Sequence, residues 1–260
     1  MRAAERRDRI VGLVAEHQRM TVEALAHRLG ASQETIRRDL TELDAKHLLR
    51  KVHGGAMVSG SVGEGAFQRR MVENLPGKRA IAAAAIPLFQ PGEALCIDTG
   101  STTLAFAAEL ARRGDLTIIT NAAGIAQQAA QGGNRTFLLG GEHRANAGEN
   151  VGPLVLQQLA GFSPDHAVLT VGGITETGLH DFDLEEAMIA RAMIERCRSV
   201  TVLADAAKFG RVALFPLCAL AGLHRLVTDV PPPPSMAAAL KAAGTEVVVA
   251  PPAPLSTEFD

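Results

Sequence analysis

The 260-residue chain has no Trp and no Tyr, and aromatic residues make up only 3% of it. That scarcity does not exclude a packed interior, because Val, Ile, Leu and Ala recur throughout and apolar residues reach 47%. With 21% charged residues, the balance is ordinary for a soluble globular protein. No apolar run is long enough to span a bilayer, and no charged-then-apolar leader opens the chain, so neither a membrane protein nor an exported one is expected. Cysteine is limited to Cys96, Cys197 and Cys218, far apart and without metal-ligand spacing. An odd, scattered set fits reduced thiols in a cytoplasm, serving as small buried hydrophobes rather than as catalysts or ligands. The Walker lysine and the GxGxxG spacing are also lacking, which disfavours a nucleotide. No cofactor, metal or membrane partner is expected. There is no internal repeat, and the only low-complexity patch is Pro231–Pro234.

The small negative net charge of -2 hides an asymmetry. Residues 1–57 carry eleven Lys and Arg against eight Asp and Glu, a net +3, and the remainder carries 15 against 20, a net -5. A basic head on an acidic body suits a protein that touches nucleic acid with one end. Within that head, TVEALAHRLGASQETIRRDL (21–40) reads as helix, tight turn, helix. Thr21 caps the first helix, and Val22, Leu25 and Leu29 share one face. Gly30 supplies the turn and Ser32 a fresh N-cap. In the second helix Ile36, Leu40 and Leu43 face inward, leaving Gln33, Thr35, Arg37 and Arg38 on or beside the outer face near its start. Arg forks onto guanine, Gln onto adenine, and either can hold a phosphate instead, so this helix suits a major groove. Ile10, Leu13 and Val14 mark a further helix ahead of it. LLRKVHGGA after it predicts a short wing, with Arg50, Lys51 and His53 around a Gly54-Gly55 turn. The bland alternative is a three-helix cluster whose charges are merely solvated.

MVSGSVGEG loses periodicity and gains Gly and Ser, which places a linker over 58–66 between an N-terminal domain, 1–57, and a larger one, 67–260. FQRRMVENLPGKRAIAAAA is helical material interrupted at Pro76-Gly77. Seven β-rich runs follow, ALCID, LTIIT, RTFLL, DHAVLTV, SVTVLA, RLVTD and EVVVA, mostly separated by stretches of helical length. This alternation predicts an α/β fold with a largely parallel sheet. Polar residues gather at the strand ends: Asp98, Thr120-Asn121, Gly140-Gly141, Gly172-Gly173, and Asp205 with Lys208 just beyond. Parallel strands bring such ends to one edge, the usual ligand crevice. Asp98-Thr99-Gly100-Ser101-Thr102-Thr103 joins a strand to a helix with a glycine and four hydroxyls, a ready anion site to which Lys208 adds charge. Each motif also has a plain reading as a helix cap or chain turn, but their convergence favours a small phosphorylated ligand.

The run from Arg6 to Ala56, with S-x-x-T-I-R-R-D-L followed by R-K-V-H-G-G-A, resembles the winged helix-turn-helix DNA-binding domain of the DeoR/GlpR family of bacterial repressors. The order F-x-x-R, K-R-A-I-A, D-T-G-S-T-T, T-N, G-G, D-A-A-K-F-G and L-V-T-D is similar to that family's effector domain, whose fold is shared with ribose-5-phosphate isomerase and the CoA transferases. The resemblance implies operator contact by Ser32, Gln33, Thr35, Arg37 and Arg38, with Thr21, Arg50, Lys51 and His53 alongside. It implies a phosphorylated sugar or polyol held at 98–103, with Thr120, Asn121, Gly140, Gly141, Asp205 and Lys208 lining the rest. It further implies a homo-oligomer on double-stranded operator DNA, with the effector releasing the repressor. A sugar-phosphate isomerase carrying a DNA-binding head is the alternative, and a constitutive architectural DNA binder is a third. Asp39 is expected to pair with a cation rather than meet DNA. The chain departs from the family at Ala207, Arg191 and the carboxylate-rich GLHDFDLEEA (178–187). There Asp181, Asp183, Glu185 or Glu186 either accept hydrogen bonds from a hydroxyl-rich sugar or solvate a helix start.

Overall fold

The computed structural model describes residues 3–17, 19–45, 49–52, 54–57 and 67–251, arranged as two compact units, Met1–Arg69 and Arg70–Asp260. The predicted linker over 58–66 and His53 lie outside the described residues.

In the first unit α1 (Ala3–His17), β1 (Arg19–Thr21), α2 (Val22–Leu29), α3 (Gln33–Ala45), β2 (Arg50–Val52) and β3 (Gly55–Met57) follow in order. The strands form an antiparallel sheet in the order β1-β3-β2. The helical stripes close a single core of Ile10, Val14, Leu25, Leu29, Ile36, Leu40 and Leu43, sealed by Met20, Leu49 and Ala56 from the sheet side. Thr21 Oγ1 accepts from Ala24 N at 3.1 Å and caps α2. Gly30 ends that helix in the left-handed region at φ 60°, where a side chain would be strained. Gly55 is required by proximity instead: a Cβ there would strike Met20 O and stand 2.9 Å from Thr21 Cα. The turn glycine Gly54 has φ 76°. The Gly-Gly pair therefore divides two tasks, one turning the wing and one letting it lie against β1.

After α4 (Phe67–Val72), the second unit runs α5 (Leu75–Ala85), β4 (Ala94–Ile97), α6 (Ser101–Leu110), β5 (Thr117–Thr120), α7 (Ala123–Gln131), β6 (Arg135–Leu138), β7 (Glu142–Arg144), β8 (Glu149–Val151) and α8 (Pro153–Leu159). It continues with β9 (His166–Leu169), β10 (Gly173–Thr175), β11 (Gly178–Asp181), α9 (Leu184–Arg196), β12 (Ser199–Leu203), β13 (Phe215–Cys218), β14 (Arg225–Thr228), α10 (Pro234–Ala242) and β15 (Glu246–Val249). The seven predicted runs are the seven strands of one sheet, ordered β15-β14-β12-β9-β4-β5-β6 and parallel throughout. Alternate residues feed opposite faces. Leu95 and Ile97 pack with α5, α6 and α7, whereas Cys96 packs on the side of α8, α9 and α10. The outcome is a three-layer α/β/α unit whose strands are buried on both faces, which is why they read as continuous apolar runs.

The strand order reverses at β4. The chain proceeds outward through β5 and β6, then returns to β9 on the other side of β4. Such a reversal leaves a crevice beyond the carboxyl ends of the two central strands. Two smaller sheets were not anticipated: the hairpin β7-β8, and an antiparallel β10-β11-β13 sheet.

Candidate functional site

The first unit presents α3 and the wing. Ser32 Oγ accepts from Thr35 N at 3.2 Å and lies 2.8 Å from Thr35 Oγ1, so both residues are partly engaged in capping α3. Gln33, Arg37 and Arg38 are exposed, as the helical phase requires. The Arg37 and Arg38 side chains keep 55% and 81% of their surface in solvent, enough to reach a partner without refolding. Glu34 stands 3.9 Å from Arg37 and 3.4 Å from Arg38 and holds them loosely. Lys51 is docked against the same helix, its backbone N–H on Asp44 Oδ1 at 2.9 Å and its ammonium on Thr41 Oγ1 at 2.8 Å. Glu34, Arg37, Arg38, Thr41, Glu42 and Lys51 thus line one shallow concavity. Arg50 opens β2 beside Lys51. Thr21 lies elsewhere, lining a second hollow with Glu23, His27 and Arg28. Asp39 faces inward: it is buried and accepts from Arg6 Nε at 2.6 Å and Arg7 Nε at 3.1 Å, while Arg7 also pairs with Glu42. Two arginines of the basic first helix are therefore spent inside the fold.

In the second unit the crevice forms where the topology places it. Asp98 follows β4, and both of its carboxylate oxygens accept from Thr170 N, just past β9, at 3.0 Å. This pins the two central strand ends together. Gly100 sits tightly beneath Thr170, where a Cβ would collide with the methyl and come within 2.7 Å of Oγ1. Ser101, Thr102 and Thr103 begin α6 and are buried, with Thr103 Oγ1 donating to Gly100 O at 3.2 Å. First-turn amides of a helix have no partner inside it, so this start offers N–H groups to an anion.

The structure gives the remaining predicted residues varied surroundings. Thr120 is fully buried, its hydroxyl accepting from Ala122 N at 3.1 Å. Asn121 is likewise buried and donates to Asn150 O at 2.9 Å, fastening β8 to the sheet edge. Gly140 exchanges hydrogen bonds with the Gln158 amide at 3.0 and 3.3 Å, and Gly141 has no room for a side chain beside Val151 O. The glycine pair seats the hairpin against α8. Asp205 caps the turn 206–208 through Ala207 N at 3.1 Å. Asp98, Thr99 and Asn121 converge on one cavity with Glu149, Asp181, Glu186 and Ile189. Asp205 and Lys208 belong to a different cluster, around Lys78.

Lys78, Arg144 and Glu149 went unseen in the sequence reading. Lys78 lies on the buried face of α5 with Ile81 and Ala82. Its ammonium donates to Glu73 O at 2.8 Å and to Arg70 O. Burial pushes its pKa below the ordinary lysine value; Asp205 opposes that shift and Lys208 adds to it. A lysine at helical spacing on an apolar face was the available signal. Glu149 is buried and its carboxyl is pushed upward by that burial. Arg144 approaches Glu149 at 3.9 Å and Asp183 at 3.0 Å, and also pairs with Glu185. Among the described residues no group of three or more His, Cys, Asp and Glu is arranged to hold a metal ion, and no helix is long and apolar enough to cross a membrane.

Two family models match this chain: a DeoR-like helix-turn-helix domain over residues 6–62, and a DeoR C terminal sensor domain over residues 73–230. The chain belongs to the DeoR family of transcriptional regulators. Like other members it pairs a DNA-binding unit with a sensor. It is 34% identical over 231 residues to the HTH-type transcriptional regulator GlpR of Haloferax volcanii, spanning 88% of this chain and 91% of that one. It is 32% identical over 238 residues to the glycerol-3-phosphate regulon repressor of Escherichia coli K12, spanning 91% and 94%. Among solved structures, ribose 5-phosphate isomerase A from Methanocaldococcus jannaschii aligns with 51% of this chain and 53% of its own, at 19% identity and a TM-score of 0.38.

Proposed function

We propose that this DeoR-family regulator represses a sugar or polyol catabolic operon and leaves its operator when a phosphorylated sugar or polyol enters the crevice of the second unit. It acts as a cytoplasmic homo-oligomer and catalyses no reaction. What carries this reading is the presence, in one chain, of an exposed Gln33-Arg37-Arg38 helix face and a hydroxyl-rich helix start, Gly100–Thr103, at the switch point of a parallel sheet. Gln33, Arg37 and Arg38 reach base edges or phosphates, Ser32 and Thr35 touch the backbone, and Thr21, Arg50, Lys51 and His53 add flanking contacts. Thr99 to Thr103 cradle the phosphate. Asp98, Asn121, Thr120, Gly140 and Gly141 shape the wall, and Lys208, with Asp205 in the separate cluster around Lys78, contributes through its charge at longer range.

A symmetric pair of such heads places its recognition helices roughly 34 Å apart, one turn of DNA. A coupling of about 1–3 kcal/mol between crevice and operator suffices to loosen binding by roughly 5- to 150-fold. The deciding experiment is fluorescence anisotropy on labelled DNA from upstream of the protein's own gene, at fixed salt because phosphate contacts are salt-sensitive, followed by addition of sugar and polyol phosphates. Specific binding released by one compound is the expected result. Specific binding unmoved by every compound removes the effector class, and turnover of a compound without specific DNA binding hands the function to an isomerase.

A further inference from the structure

One end of the crevice carries more buried hydrogen-bond acceptors than the fold supplies donors for. Asp98, Thr99, Asn121, Glu149, Asp181 and Glu186 surround a cavity of about 10 Å³, room for a single water-sized group. Much of this lining is already committed. Asp98 holds Thr170 N, Asp181 Oδ1 holds Phe182 N at 2.6 Å, and the Asn121 amide N–H holds Asn150 O. Two acceptors and one donor are left over: Asn121 Oδ1 and Glu149 Oε1, on residues only 1% exposed, and the Thr99 hydroxyl beside them, which can serve one acceptor but not both. Buried acceptors without donors are rare, and such a site calls for a group that brings a donor. The adjacent cation does not meet the need. Arg144 stands 3.9 Å from Glu149 Oε1, beyond hydrogen-bond reach, and is engaged by Asp183 and Glu185. The carboxylates are not arranged as a metal-ligand set.

We propose that this cavity recognises one hydrogen-bond-donating group, a hydroxyl or a protonated amine, on the carbon chain of the effector, and rejects a carboxylate at that place. The inference rests on reading Gly100–Thr103 as the phosphate cradle, whose helix follows directly from Asp98 and Thr99. The effector class narrows accordingly to neutral or amino sugar and polyol phosphates, and away from phosphorylated sugar acids. The physical reason is one of sign. An anionic group would sit among Asp98, Glu149, Asp181 and Glu186 with only the Thr99 hydroxyl as a donor beside it, whereas an ammonium brings a proton to both Asn121 Oδ1 and Glu149 Oε1 and a hydroxyl donates its one proton to either of them. Burial already holds the Glu149 carboxyl above its ordinary value, so a donor that favours the ionised form drives out a proton on binding.

The test is isothermal titration of the full chain with matched phosphates: glucitol 6-phosphate, glucosamine 6-phosphate and 6-phosphogluconate, then glycerol 3-phosphate against 3-phosphoglycerate, with inorganic phosphate as the anchor alone. The hydroxyl or amino member of a set is expected to bind at least about tenfold tighter than its acid counterpart, since a site built to hydrogen-bond a donor rejects the analogue lacking it. Glucitol against glucosamine phosphate identifies the donor. Glu149→Gln is expected to level the difference between neutral and acid members and to raise the melting temperature of the ligand-free protein, because it relieves a buried carboxylate; a merely structural Glu149 would lower it. An acid member binding as tightly as its neutral partner in the wild-type chain overturns the pocket while leaving the phosphate cradle intact. Failure of every compound, inorganic phosphate included, overturns both.

Discussion

Gly100 and Thr170 show how closely the crevice is fitted at the level of single atoms. The loop after β4 passes so near Thr170 that a methyl at position 100 collides with the threonine side chain. Gly100→Ala should therefore destabilise the second unit by about 1–3 kcal/mol, the usual cost of overfilling a packed site. Thr170→Ala removes both atoms in the way and should restore much of the loss when combined with it. A double-mutant cycle by denaturant unfolding checks this, and strict additivity of the two changes would exclude their contact. On the other unit, Arg37 and Arg38 each share Glu34. Replacing either arginine with Ala should cost about 1–3 kcal/mol of specific operator binding if it reads a base. Glu34→Gln should strengthen binding, since it frees both guanidinium groups and removes a charge facing phosphate; anisotropy titrations at one salt concentration decide both points.

Among the elements, α9 ties a legible feature to a hidden one. Asp183 caps it, accepting from Glu185 N at 2.8 Å and Glu186 N at 3.2 Å, and also holds Arg144. Asp183→Ala should cost about 0.5–2 kcal/mol through the lost cap alone, more if the β7-β8 hairpin loosens with Arg144. Proteolysis within 142–151 would report that loosening, and an unchanged cleavage rate would confine the effect to the helix. The D-x-E-E pattern at that helix start was visible in the sequence; its partner was not. The seven strands of the parallel sheet were legible because burial on both faces demands unbroken runs of Val, Ile and Leu. The hairpin escaped because its strands, EHR and ENV, are polar and only three residues long, with no alternation to read. Glu149 went with it: a glutamate in a polar stretch looks solvated, and only the tertiary fold buries it. The arginines of the first helix hide a structural role of the same kind, since Arg6 and Arg7 turn inward to Asp39. The pairing of Asp39 with a cation is legible all the same, because a carboxylate facing phosphate would repel it.

For the whole molecule, the charge split of +3 and -5 concentrates attraction for DNA in the N-terminal residues, and the regulation proposed above then rests on free-energy coupling rather than on charge. Linkage makes that coupling reciprocal: whatever factor the effector takes from operator affinity, the operator takes from effector affinity. If a ligand weakens operator binding by roughly 5- to 150-fold, as couplings of about 1–3 kcal/mol do, then titrating the same ligand into operator-saturated protein must give a dissociation constant higher by the same factor. Ionic strength separates this from simple electrostatic competition. A phosphate that merely neutralised the basic head would lose its effect as salt screens the head, over a Debye length of about 10 Å at 0.1 M. Coupling through the crevice instead keeps its factor while both affinities shift with salt. Calorimetric titration of the effector into free and operator-bound protein, at two salt concentrations, is expected to return equal factors in both directions. Unequal equilibrium factors would mean that the compound also meets the DNA-binding unit itself, and the crevice would no longer be the sole seat of regulation.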